Sequence, residues 1–278
     1  MAAVGRHPRI IGVRAACLEQ PLAVVQELAH GSLHDQLHTL RLRPQYGLLM
    51  QLAEDVASAL EHCHAQRPPV VHRDLSGRNV LLGGDGRARL ADFGLAAAKR
   101  RTFLSTDKAG ALGTAAYMAP EAMTAGQITE RCDVFGFGVL LWELLTGRQA
   151  WEEYDSPLQV IFAVGVERRR LPIPPGCPPA LAKLLKECWR HNAPLRPSFT
   201  EVLQRLRQMQ RADQFQLVGP LVPAPAASEK AAARATSGSA ASSSSKAGSQ
   251  LGKGRRILPV SAVAAASRAA RPPLPASS

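Results

Sequence analysis

Near Gln216 the chain loses the means to bury a core, and that break bounds what can fold. Before it, apolar residues recur at helical or strand spacing; after it come Ala, Ser, Pro and Gly, including Ser242-Ser243-Ser244-Ser245. Such a segment has too little apolar surface to offset the entropy of ordering it. Residues 1–217 are therefore expected to fold, and residues 218–278 to form a disordered basic tail. The net charge of +12 divides the same way, because Leu221–Ser278 holds eight basic residues against Glu229 alone. Basicity is mostly a tail property. That argues against a nucleic-acid interface on the folded part and leaves the tail as a solvated low-complexity extension, with a tether for an acidic partner as the alternative.

Hydrophobic residues make up 46% of the chain, enough for a core, but aromatics are 5%, so Leu, Val and Ala must fill it. No run of 18 apolar residues occurs, and no transmembrane helix is expected. Met1 to Arg9 has no apolar stretch behind a basic start, so no secretory signal is expected either. The cysteines (Cys17, Cys63, Cys132, Cys177, Cys188) are odd in number and include no CxxC pair. This pattern fits reduced thiols in the cytoplasm, or in the nucleus, better than a disulfide framework or a zinc ribbon.

Periodicity points to an α+β chain, mainly α-helical. Ile10-Ile11-Gly12-Val13 and Leu22-Ala23-Val24-Val25 are strand-sized runs. A helix is expected from about Gln45 to Ala65, with Leu49, Leu52, Val56, Leu60 and Cys63 on one face and Pro68-Pro69 beyond its end. Val70-Val71, Val80-Leu81-Leu82 and Ala88-Arg89-Leu90-Ala91 read as strands, the last two joined by Gly83-Gly84-Asp85-Gly86. From about Ile128 helices dominate. Asp133 to Leu145 is almost wholly apolar and is expected to be buried all round. A later helix around Val202-Leu203-Leu206 has Ser198 or Thr200 as its N-cap. His62-Cys63-His64, lacking a second cluster, reads as a helix end and not as a metal site.

The chemistry lies between these elements. His72-Arg73-Asp74-Leu75-Ser76-Gly77-Arg78-Asn79 precedes the Gly-rich turn, Asp92-Phe93-Gly94 follows it, and Ala119-Pro120-Glu121 comes later. Any one of these motifs arises by chance in many chains. All three in this order, with strand-sized runs flanking the turn, resemble the eukaryotic protein-kinase signature set. Trp142-Glu143-Leu144-Leu145-Thr146-Gly147 and Cys188-Trp189 are similar to its tyrosine-kinase-like branch. The resemblance runs from about His7 to Met209.

It implies a kinase large lobe with remnant small-lobe strands, using ATP and Mg²⁺ on protein substrates. Asp74 would accept the substrate hydroxyl proton, and Arg73 beside it would meet a phosphate on the activation segment. Asn79 and Asp92 would hold the metal, with oxygen donors that suit a hard cation. Glu27 to Ala29 would be the hinge for adenine, with Gln26 as gatekeeper and Leu81 as floor. Phe93 would couple Asp92 to the core. Asp133 would hydrogen-bond the catalytic-loop backbone, and Glu121 would pair with Arg196. Thr102, Ser105 and Thr106 are the candidate phosphosites. Gly113-Thr114-Ala115-Ala116-Tyr117-Met118 resembles the serine/threonine pattern, whereas Ser76 stands where a lysine is usual and Arg78 echoes tyrosine kinases. Serine/threonine specificity is the favoured reading, with tyrosine or dual specificity as an alternative.

Residues 1–98 contain no lysine and no G-x-G-x-x-G. The expectation is therefore a kinase domain truncated at its N-terminus, nearly inactive as written. A pseudokinase or interaction scaffold is the alternative.

Overall fold

The computed structural model describes residues 4–17, 23–93, 115–123 and 128–213. The tail expected at 218–278 lies outside these residues. Strands β1 (Val13–Cys17) and β2 (Ala23–Gln26) form an antiparallel hairpin. Strands β3 (Gly31–Ser32), β4 (Val80–Leu82) and β5 (Ala88–Leu90) form a second antiparallel sheet in that order. The helices are α1 (Tyr46–His64), α2 (Pro120–Met123), α3 (Arg131–Thr146), α4 (Pro157–Ile161), α5 (Pro179–Cys188) and α6 (Phe199–Asp213). A π-helical turn, Phe162–Val166, continues α4.

Helix α1 ends within a residue of its expected limits, and all five residues of its predicted stripe are buried. That stripe packs on α6 and β5. Helix α3 is the centre of the core, with every residue from Cys132 to Thr146 buried. It stops at Gly147, whose φ of +64° suits glycine and lets its N–H donate to Glu143 O at 2.7 Å. Helix α6 opens on a reciprocal cap: Glu201 N donates to Ser198 Oγ at 3.3 Å, and Ser198 N donates to Glu201 Oε2 at 2.7 Å. Ser198 is thus the cap, and the Thr200 hydroxyl donates to Glu61 instead.

Two expected strands differ. Ile10 makes only one parallel bridge, to Leu90, and the regular strand starts at Val13. The Ile10 and Ile11 side chains are drawn into the interior while Ile11 N donates to Leu90 O and Leu90 N to Arg9 O, so this stretch runs beside β5 before the hairpin begins. Val70-Val71 is not a strand. Its backbone closes α1 instead, with Val70 N donating to Cys63 O at 3.0 Å.

In the β4–β5 pair, Val80 opposes Leu90 and Leu82 opposes Ala88, all buried, while Leu81 opposes Arg89 on the other face. The two-residue period thus turns Leu81 away from the core. Asp55 of α1, itself buried, accepts from Arg87 Nε at 2.9 Å and Ala88 N at 3.0 Å and pairs with Arg9 at 3.0 Å. One carboxylate so ties the N-terminal segment, α1 and β5 together.

Candidate active site

The loop from His72 to Asn79 is held from below by a single buried carboxylate. Asp133, at the first turn of α3, accepts from His72 N through Oδ2 and from Arg73 N through Oδ1, both at 2.8 Å. His64, at the end of α1, places Nε2 2.9 Å from Oδ2. Burial pushes the Asp133 carboxyl up, but the hydrogen bond and charge of His64, with the loop N–H groups, hold it below the usual carboxylate value. Arg73 takes φ +66°, a left-handed conformation uncommon outside glycine. Pinning its N–H leaves its side chain exposed.

Above that anchor the loop is joined to β5. His72 Nε2 donates to Ala91 O at 2.9 Å, and its Nδ1 accepts from Asp74 N at 3.3 Å. The Phe93 ring stands edge-on to His72 with centroids 4.8 Å apart. Asn79 Nδ2 donates to Asp74 O at 2.7 Å and to Asp74 Oδ2 at 3.1 Å, while Asn79 O accepts from Ala91 N at 2.8 Å. These bonds bring Asp74 and Asn79 together and fix Ala91, the residue before Asp92, against the same loop. Asp92 also takes a left-handed φ of +64°. With Nδ2 committed to Asp74, Oδ1 is the atom that Asn79 could offer to a cation, and together with the Asp92 carboxylate it would give oxygen donors of the kind Mg²⁺ takes.

The proposed adenine residues lie one strand away. Glu27 N donates to Gly12 O at 2.9 Å, and His30 N donates to Leu82 O at 2.9 Å, so the segment carrying Ala29 is stitched to the strand that carries Leu81. The Glu27 carboxylate accepts from Arg14 at 2.8 Å and from Gly12 N at 3.3 Å.

Glu121 and Arg196 form a two-pronged pair at 2.7 and 2.8 Å. The Arg196 guanidinium is fully buried, also donates to Arg190 O and Arg131 O, and lies over the Phe135 ring at 5.2 Å. Thr102, Ser105, Thr106, Thr114 and Gly94 lie outside the described residues.

A buried network went unread in the sequence. Tyr117 accepts from Gly77 N at 3.2 Å and donates to Glu143 Oε2; Glu143 also accepts from Ala150 N at 2.8 Å and lies 3.4 Å from His38. It pins the catalytic loop a second time, at Gly77. Burial, then the Glu143 charge, raises the Tyr117 hydroxyl well above its ordinary pKa. Nothing in the local pattern links positions so far apart in the chain. His62-Cys63-His64 diverge: His62 Nε2 lies 2.7 Å from Val4 O, His64 turns to Asp133, and burial pushes the Cys63 thiol up to about 12.

Residues 1–206 match the family model described as protein tyrosine and serine/threonine kinase. The chain belongs to the protein kinases. Among similar proteins are a probable serine/threonine-protein kinase, SIS8, of Arabidopsis thaliana, 38% identical over 208 residues, and the serine/threonine-protein kinase CTR1 of the same plant, also 38% identical over 208. Mitogen-activated protein kinase kinase kinase 10 of Homo sapiens is 38% identical over 222 residues. The matches cover 74%, 73% and 76% of this chain but only 20%, 25% and 23% of those relatives. This kinase chain thus spans about a fifth to a quarter of their length. In the kinase frame, Asp74 and Asn79 are joined in one loop with Asp92 one residue past the Ala91 that bonds Asn79, and Glu121 pairs with Arg196.

Proposed function

We propose that this chain transfers the γ-phosphoryl group of ATP to serine or threonine hydroxyls of proteins. The observation that carries the reading is the Asn79 amide spanning the backbone and side chain of Asp74 while Asn79 O holds the strand end that leads to Asp92. Asp74 receives the hydroxyl proton at its carboxylate, and Asn79 keeps that carboxylate oriented. Asn79 Oδ1 and Asp92 hold Mg²⁺, which when bound neutralises charge on the transferring phosphoryl group. Leu81 and the backbone of Glu27 to Ala29 receive adenine. Serine/threonine specificity is supported by the names of the relatives and by the Gly113-to-Met118 pattern.

The remaining parts of the reading are residues 1–217 as the kinase domain, β1 and β2 as small-lobe strands, and 218–278 as a low-complexity basic extension, with a tether for an acidic partner as the alternative. The odd number and wide spacing of the cysteines support a cytoplasmic or nuclear location. Because residues 1–98 offer no lysine and no glycine-rich loop to the phosphates, a polypeptide of residues 1–278 alone is expected to bind Mg-ATP no more tightly than about millimolar. The same feature motivates a second reading, a non-catalytic interaction module.

The test joins these residues to the small lobe of a relative and assays phosphorylation of a generic protein substrate, followed by phosphoamino-acid analysis. Asp74→Asn should lower turnover by about 10² to 10⁴ without changing the melting temperature. Turnover within about tenfold of the parent would remove Asp74 as base, and phosphotyrosine alone would remove the specificity.

A further inference from the structure

Helix α4 and the π turn that follows it are built inside out on their solvent side. Val160, Ala163 and Val164 are buried and hold the segment to the lobe. The opposite face should then be polar. Instead Leu158 is 69% exposed, Phe162 54% and Val166 64%, at steps of four residues. The π turn, in which Glu167 N donates to Phe162 O at 3.0 Å, presents Val166 on the same side as Phe162; such turns are frequent at functional sites.

The net charges at the two ends have opposite sign. Glu153 and Asp155 precede the helix, Glu167 and Arg168 close the turn with Arg169 and Arg170 just beyond, and the Glu153, Asp155, Glu167 and Arg168 side chains are exposed. None of them makes an ion pair among the described residues. Arg169, in contrast, is already committed to the Tyr154 hydroxyl and ring. Interaction with the helix dipole accounts for acid at the start and base at the end. It does not account for the apolar stripe between them.

We propose that this face pairs with the same face of a second copy of the chain, antiparallel about a two-fold axis through Phe162. The stripe is symmetric about that residue. Leu158 lies four positions before it and Val166 four after, so the axis sets Leu158 of one copy against Val166 of the other and Phe162 against itself. The same operation carries the Asp155 end of one copy to the Arg168 end of the other, which pairs the exposed charges. Self-complementarity of this kind is what an isologous dimer requires. The surface is independent of the phosphoryl-transfer reading, because no residue in it belongs to that site. Three side chains a copy make a small interface, so the dissociation constant is expected at about 50–200 µM.

Sedimentation velocity of the full chain from roughly 5 to 500 µM is the test. A monomer–dimer equilibrium in the expected range is predicted, and Phe162→Glu should abolish it while leaving the circular-dichroism melt unchanged. Arg168→Glu should weaken the dimer by about fivefold, and adding Asp155→Arg should restore it to within about twofold, a rescue that needs the two ends to meet across the axis. The exposed β1–β2 hairpin supplies the control. Val24→Glu with Val25→Glu should leave the affinity unchanged. A chain that stays monomeric throughout overturns the proposal. So does association that survives Phe162→Glu, or a charge swap that fails to rescue.

Discussion

Replacing Asp133 by Asn isolates what one buried carboxylate contributes. The two side chains have nearly the same volume, so no cavity opens. Asp133 is 2% exposed and accepts both His72 N and Arg73 N at 2.8 Å, with His64 Nε2 at 2.9 Å. An amide has one acceptor oxygen, so whichever way it turns, one backbone N–H meets an NH₂ donor. Losing one hydrogen bond to a charged group removes about 1.5–3 kcal/mol, and stranding a buried N–H adds about 1–3 kcal/mol. Allowing for partial relaxation, we expect destabilisation of about 3–5 kcal/mol, the usual result of breaking a buried charged pair. In a lobe of this size that is a fall in melting temperature of about 8–15 °C. The freed Arg73 should leave its left-handed φ, which for a non-glycine residue is itself unfavourable by about 1–2 kcal/mol. Differential scanning calorimetry at pH 7 is the assay. The acid limb gives a second reading: the depressed carboxyl stabilises the fold above the ordinary Asp pKa of 3.8 and loses that contribution as pH falls through its folded value. The variant should lack this component. A melting temperature within about 2 °C of the parent would refute the claim that this carboxylate carries both loop N–H groups.

Arg196→Lys should cost about 3 kcal/mol in a urea titration, because an ammonium cannot make both bonds to Glu121 and also reach Arg190 O and Arg131 O; a loss below about 1 kcal/mol would count against the two-pronged geometry. Gly138→Ala should destabilise by about 1–3 kcal/mol, since the added methyl would sit 2.6 Å from Trp189 Nε1 and 2.8 Å from Cys188 Cβ. Were the variant as stable as the parent, the close approach of α3 to the end of α5 would be wrong. Burial lowers the His7, His34 and His191 pKa values below 6.5. The unfolded chain then binds more protons than the folded one below pH 6.5, so stability should fall from pH 7.5 to pH 5.5 in a melting series. A flat series would contradict the three shifts.

Part of the site was legible in the sequence because its residues are close in the chain and their chemistry is particular. Asp74 and Asn79 share one loop, and a Gly-rich turn between two short apolar runs returns the strand end before Asp92 to that loop. The apolar run after Asp133 dictated a helix buried on every side, since no face of it could meet water without exposing hydrocarbon. The stripe of α1 was equally plain, because burying one face of a helix requires apolar residues at three- and four-residue steps. What the pattern could not carry was pairing. Val70-Val71 has a strand's composition, yet its backbone finds its partner at the end of α1, and only the path of the chain in space decides which acceptor is nearest. Tyr117 and Glu143 look like an ordinary hydroxyl and acid until the tertiary structure removes water around them and leaves them each other, with Gly77 N, Ala150 N and the half-buried His38, to bond. Asp55 is the same case: its pattern places it on a helix, and only the packing of β5 and Arg9 against that helix makes its charge compulsory. Local spacing encodes which face of a segment is apolar; which polar group satisfies which is a property of the assembled interior, where an unpaired charge is too costly to leave.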